Sequence, residues 1–146
     1  MLNVLIVDDD ACLRLILSEY LEAAGYSCSS AENVAQARKH LVRNAFDLVV
    51  SDVNMPGESG FDLLRHVTSQ YVETAILLMS ATDDASNKQR ALQMGACGYL
   101  VKPFRLSALH SIISGIVQQY SRTRRSACIG LPARIENLGR SVLAVA

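Results

Sequence analysis

Five short runs of β-forming residues alternate along the chain with longer stretches in which apolar residues recur three and four positions apart. Such alternation selects parallel strands joined by crossover helices. The runs are Leu2 to Val7, Ser27 to Ala31, Asp47 to Ser51, Thr74 to Met79 and Gly98 to Val101. Three of them are almost wholly apolar, as strands covered by helices on both faces require. The spacing predicts a first helix from about Ala11 to Ala24, with Leu13, Ile16, Leu17, Tyr20 and Leu21 inward and Gly25 closing it. A second follows the cap Asn33, with Gln36 three residues on and Val34, Ala37 and Leu41 inward. A third begins near Ser59 with Phe61, Leu64 and Val67 inward, and a fourth runs from about Asp83 to Met94 and ends at Gly95. The fifth follows Pro103 and carries Leu109, Ile112, Ile113 and Ile116 as a core stripe. Five βα units of this kind predict an α/β fold, a doubly wound five-stranded parallel sheet in a three-layer sandwich.

The 146 residues suit one core, because a chain of about 150 residues hides roughly two-thirds of its unfolded surface. The longest apolar runs, Val4 to Val7 and Ala75 to Met79, fall far below the ~18 residues that span a bilayer. Three aspartates among the first ten residues leave neither the basic flank nor the apolar length of a signal peptide. A cytoplasmic protein is therefore expected. Cys12, Cys28, Cys97 and Cys128 form no C-x-x-C pair, which removes the usual zinc and redox spacings and leaves ordinary thiols in a reducing compartment.

The 14 basic side chains balance the 14 acidic ones, which argues against a uniformly basic nucleic-acid binder and against an acidic disordered chain. The balance is uneven along the chain: residues 1–120 hold 9 basic and 13 acidic side chains, and residues 121–146 hold 5 and 1. The expected organisation is a domain over 1–120 and a basic C-terminal tail over 121–146, a short helix or disordered. The tail opens with Arg122, Arg124 and Arg125 and has a faint stripe of Ile135, Leu138 and Val142 interrupted by Gly139. A basic run this short reads as a solvated segment before it reads as a nucleic-acid site.

Open α/β sheets bind ligands beyond the carboxyl ends of their strands, and polar residues gather there. Asp8, Asp9 and Asp10 follow the first run, Asp52 the third, Ser80 the fourth and Lys102 the fifth. Singly, each has a bland explanation: Asp10 as a helix cap, Lys102 as a solvated lysine, Ser80 as a partner for backbone groups. Together they say more. Adjacent carboxylates repel unless positive charge sits among them, and Mg²⁺, which takes oxygen ligands, resolves the repulsion. Lys102 could then offer a point charge to a bound anion, and Ser80 a hydroxyl to a phosphoryl oxygen.

The motifs Leu5 to Asp10, Asp52-Val53-Asn54-Met55-Pro56-Gly57 with Gly60, Met79-Ser80-Ala81 and Gly98 to Phe104 together resemble the receiver domain of bacterial two-component response regulators. The resemblance covers about Leu2 to Tyr120. It implies the flavodoxin-like strand order 2-1-3-4-5. It also implies that Asp52 is the phosphoacceptor, taking a phosphoryl group from a sensor histidine kinase or phosphotransfer protein. Asp8, Asp9, Asp52 and the main-chain carbonyl of Asn54 would hold Mg²⁺. Lys102 would pair with the phosphoryl group, Ser80 would hydrogen-bond one of its oxygens, and Tyr99 would rotate inward as Ser80 moves. In many relatives the bond corresponding to Lys102-Pro103 is cis. The region from Asp83 to Tyr120 would repack to signal a downstream effector protein, with homodimerisation through that face left open.

On this reading the chain is a phosphoacceptor signalling module that assists its own phosphotransfer and dephosphorylation, and not an enzyme in the ordinary sense. A carboxylate nucleophile is already ionised at neutral pH, so the chemical problem is to offset the charge of the phosphoryl group it approaches. No general base is needed, which suits the distance in sequence of His40, His66 and His110 from every motif. Glu58 departs from the resemblance, standing where relatives commonly have an apolar residue, and Asn54 and Thr82 occupy places where relatives vary. The 26 residues after 120 are too few for an ordinary effector domain. They fit a single-domain regulator or a transcriptional regulator truncated ahead of its DNA-binding domain. A haloacid-dehalogenase-like phosphohydrolase is the rival from another class, although it expects an aspartate where Asn54 stands. A flavin or nucleotide carrier would share the fold but lacks its glycine-rich phosphate loops.

Overall fold

Strand pairing builds the molecule outward from its apolar centre. In a computed structural model that describes residues 1–127, with side chains described to Gln119, the order is β1 (Asn3–Val7), α1 (Ala11–Ala23), β2 (Ser27–Ala31), α2 (Val34–Arg43), β3 (Leu48–Asp52), α3 (Gly60–Gln70), β4 (Ala75–Ser80), α4 (Ala85–Gln93), β5 (Gly98–Val101) and α5 (Leu106–Ala127). The sheet order is β2-β1-β3-β4-β5 and every pairing is parallel. The parallel doubly wound sheet is the one that the alternation predicts, and its order is the flavodoxin-like one that the resemblance implies. β3 and β4 are buried along their whole length, whereas the edge strand β2, Ser-Cys-Ser-Ser-Ala, buries only Ala31.

Successive strand residues point to opposite faces, and the core accordingly divides in two. Leu5, Val7, Val49, Ile76 and Leu78 pack with Val34, Ala37 and Leu41 of α2, with Phe61, Leu64 and Val67 of α3 and with Ala91 of α4. Val4, Ile6, Val50, Leu77 and Met79 pack on the other face with Leu17 and Leu21 of α1 and with Leu109, Ile112, Ile113 and Ile116 of α5. Each fully buried Leu or Ile contributes about 1.5–3 kcal/mol relative to exposure.

Helix starts follow side-chain chemistry. Asp10 accepts from the amides of Cys12 and Leu13 at 2.9 and 3.2 Å and caps α1. Asn33 accepts from the amide of Gln36 at 2.8 Å, but Gln36 reaches back to the amide of Glu32 rather than to the cap residue. Ser59 and Asp62 form a reciprocal capping box at the start of α3. α4 is shorter than its periodicity suggests because Asp84 caps it by accepting from the amide of Ser86.

Further details differ from the sequence reading, beginning with β1, which starts at Asn3 and not at Leu2. β3 and β4 begin and end one residue later, because pairing of Asp52 with Met79 and of Ser80 with Val101 carries the ladder on to the polar residues. Ile16 is 49% exposed instead of inward, beside Leu15 at 59%. The buried stripe of α1 centres on Leu17 and Leu21, with Leu13 and Tyr20 at its margins, and Ile16 falls outside its arc. α5 continues through residue 120 to Ala127. Cys128 and the stripe of Ile135, Leu138 and Val142 lie outside the described residues. Among the described residues no helix is long and apolar enough to cross a membrane.

Candidate functional site

The carboxyl ends of the central strands deliver polar residues to one edge of the sheet. Asp8 follows Val7 directly, and its amide donates to the Ala31 carbonyl at 3.1 Å, extending the β1 ladder by one bond. Asp52 ends β3 and Ser80 ends β4, while the amide of Lys102 donates to the Ser80 carbonyl at 2.7 Å just beyond β5. The peptide bond between Lys102 and Pro103 is cis.

One ammonium joins the two most deeply set carboxylates. Lys102 Nζ donates to Asp8 Oδ2 at 2.8 Å and lies 3.3 Å from Asp52 Oδ1. Asp8 is fully buried and Asp52 is 6% exposed, while Asp9 stands open at the mouth. Carboxylate oxygens of Asp8, Asp9 and Asp52 lie within 4.8 Å of one another. Asp10 is drawn away to cap α1, so two of the three consecutive aspartates face the site. Burial, and then the charge of Asp8, push the Asp52 carboxyl above its ordinary range; Lys102 opposes the shift and Asp9 adds to it. Burial would lower the Lys102 pKa, but its hydrogen bond to Asp8 and the charges of Asp52 and Asp8 outweigh that and raise it.

Three clustered carboxylates, two of which meet one ammonium, leave excess negative charge among oxygen donors. A hard divalent cation is the species such a donor set suits. The main-chain carbonyl of Asp8 is meanwhile occupied, accepting from Arg14 Nη1 at 2.7 Å, and the Asp10 amide donates to Asp8 Oδ1 at 2.9 Å. Sequence reasoning missed Arg14. The available signal was its place on the second turn of α1, which brings a long cationic side chain back toward the strand end.

Around this centre the loops are tightly made. Ser80 is 1% exposed, and its hydroxyl oxygen accepts from the Thr82 amide at 3.1 Å. Tyr99 is buried, with its hydroxyl 3.5 Å from the Thr82 carbonyl; its ring already points inward. Asn54 is exposed in the β3–α3 loop. A Cβ on Gly60 would lie 2.3 Å from the Asp52 carbonyl oxygen, so α3 can begin this close to the site only on a glycine. The sequence reading treated Gly60 as part of a motif without that reason.

The remaining reactive groups sit apart. His40 packs edge-on against Phe46, His66 against Tyr71, and His110 against Tyr20 and Tyr26. Cys12, Cys28 and Cys97 are free thiols. Burial pushes Cys97 up to about 12, and burial with the nearby Glu22 charge pushes Cys28 up to about 11, so neither is a thiolate at neutral pH.

The family model for the response regulator receiver domain matches residues 4–114. The chain belongs to this family. The receiver is 40% identical over 112 residues to the response regulator protein FleR of Pseudomonas aeruginosa, a match covering 77% of this chain and 24% of FleR. It thus spans about a quarter of that relative's length. Among solved structures it is similar to the chemotaxis protein CheY4 of Vibrio cholerae, with a TM-score of 0.73 and 36% identity over 78% of this chain and 97% of that one. It is also similar to the response regulator protein TrrA of Thermotoga maritima in complex with Mg(2+)-BeF, with a TM-score of 0.71 and 30% identity over 78% and 97% of the two chains. Membership of a family of two-component signalling modules decides against the haloacid-dehalogenase-like alternative, and the expected receiver class stands.

Proposed function

We propose that this receiver accepts a phosphoryl group on Asp52 in a Mg²⁺-dependent step. The observation that carries the reading is Lys102 Nζ set between Asp8 and Asp52 at the edge of the three-carboxylate cluster. Asp8, Asp9, Asp52 and the Asn54 carbonyl would hold the cation, which when bound supplies positive charge against the phosphoryl oxygens.

The chain's own residues account for the rest. A carboxylate oxygen of Asp52 attacks the phosphorus of a phosphohistidine on a sensor histidine kinase or phosphotransfer protein. The P–N bond breaks, its electron pair returns to the imidazole, and an aspartyl phosphate remains. Lys102 keeps Asp52 charged before transfer and pairs with the phosphoryl group afterwards, a preorganised charge that needs no rearrangement of solvent. Ser80 turns its hydroxyl from the Thr82 amide toward a phosphoryl oxygen. Because the Tyr99 hydroxyl also meets Thr82, that movement reaches β5 and the neighbouring α4 and α5. A new charge with several acceptor oxygens beside such a loop is a local switch, and its readers are a downstream effector protein or a second copy of the receiver. The mixed anhydride is open to water, so the signal decays with its own chemistry.

Acetyl phosphate with Mg²⁺ tests the assignment. One hydroxylamine-sensitive phosphoryl group per chain is expected on the wild type and none on Asp52→Asn. Equal labelling of the two proteins sinks the assignment.

A further inference from the structure

Glu58, the departure from the family pattern noted in the sequence, does not stand free on the β3–α3 loop. Both terminal nitrogens of the Arg38 guanidinium meet it: Nη2 donates to Oε1 at 2.9 Å and Nη1 donates to Oε2. Arg38 projects from α2, which is seated on the sheet by buried Val34, Ala37 and Leu41. The fork therefore ties a loop to a rigid element, and a planar two-point contact restricts orientation as well as distance.

Besides the fork, the half-buried Met55 packs against the core next to Asn54, and main-chain hydrogen bonds tie the ends of the loop. The Val53 amide donates to the Met79 carbonyl at 2.8 Å, and the Gly60 amide donates to the Val53 carbonyl at 2.9 Å. Ser59 is held by Asp62, its amide donating to Asp62 Oδ2 at 2.8 Å. Between these anchors the chain reverses through Gly57, at a φ of +86°. Asn54 lies inside the span, one residue beyond the first anchor. The pair is half open to solvent, with side-chain exposures of 37% and 44%, and exposed pairs add little to global stability. Its effect is local, on the loop and on the nearby Asp62 and His66 of α3, which feel these charges.

We infer that Arg38 and Glu58 are positioning residues, whose ion pair clamps the β3–α3 loop to α2 and keeps the Asn54 carbonyl placed for the divalent cation. This rests on the Mg²⁺ reading above. A plain field effect of Glu58 on the cation makes a different prediction. Removing the Arg38 charge would then tighten Mg²⁺ binding, whereas loss of a clamp weakens it.

The experiment uses the full chain at low salt. Mg²⁺ dissociation constants are measured by calorimetry for the wild type, Arg38→Gln, Glu58→Gln and the double variant Arg38→Glu with Glu58→Arg. Amide hydrogen exchange of Met55 and Gly57 is followed in the same proteins in chelator, without metal. Each single variant should bind Mg²⁺ about two- to fivefold more weakly, the range an exposed pair can supply, and should exchange faster at both amides. The charge-swapped variant, which restores the pair, should recover both. Unchanged or tighter Mg²⁺ binding by Arg38→Gln overturns the clamp, as does unchanged exchange in the loop. If the wild type binds no Mg²⁺, the metal reading fails by itself, and the exchange data still decide whether the pair orders the loop.

Discussion

Lys102 donates to Asp8 at 2.8 Å across 94 positions of sequence, and the same ammonium lies 3.3 Å from Asp52. The buried carboxylates at the ends of β1 and β3 therefore share one cation, supplied by the residue that follows β5. Removing it leaves two neighbouring negative groups with nothing between them, and several consequences can be measured.

Lys102→Met should cut the rate of labelling by acetyl phosphate by about 10²–10³, the usual loss when one preorganised charge is withdrawn from a transition state. The pH below which labelling declines should also move upward. Lys102 opposes the rise in the Asp52 pKa, so without it the acceptor protonates more readily. A pH–rate profile identical to that of the wild type would remove Lys102 from the site.

Asp52→Asn should unfold at a higher temperature than the wild type at pH 7. Burial and Asp8 raise the Asp52 pKa in the fold, so the folded state holds this proton more tightly than the unfolded chain. Stability from this group is therefore greatest at acid pH and falls as pH rises through the window between the unfolded and folded values. The advantage of the variant should shrink as the pH is lowered into that window. Thermal melts from pH 4 to pH 8 check both the sign and the trend.

Asp9→Ala should weaken Mg²⁺ binding by about tenfold or more, as expected for loss of a ligand carboxylate, while leaving the melting temperature within a few degrees. Asp9 is exposed, so its loss opens no cavity. Titration calorimetry paired with a thermal melt separates the two effects; undiminished affinity would take Asp9 out of the metal set.

Gly60→Ala should destabilise the fold by about 1–3 kcal/mol, the range for forcing an added methyl group into a packed site. It should also slow labelling of Asp52. The new Cβ would sit 2.3 Å from the Asp52 carbonyl oxygen and 2.9 Å from Val53 Cα, so α3 or the end of β3 must move. Urea melts and labelling rates measure the two costs; wild-type values in both would mean that α3 can retreat freely.

Much of this was legible in the chain because the signals are local. The burial of Leu109, Ile112, Ile113 and Ile116 follows directly from their spacing, and Asp10 and Asn33 cap their helices because their side chains reach amides two or three positions on. Ile16 has the apolar character of its neighbours and stays exposed, since hydrophobicity does not say which arc of a helix meets the sheet. Arg14 and Glu58 were less legible still. Their partners are a main-chain oxygen and a side chain of another element, and neither is encoded in a short motif.

By itself the sequence determined the alternating elements, the parallel doubly wound sheet and the set of acidic, hydroxyl and lysine residues at the strand ends. Periodicity and chain reversal are short-range properties, and the resemblance supplied the strand order. Tertiary structure decided which aspartates face one another, that Asp10 serves a helix instead, that Tyr99 already lies inward and that Arg38 grips Glu58. Those outcomes depend on register between strands and on the pitch of helices against the sheet. Charges remote along the chain interact strongly only after folding has removed the water between them.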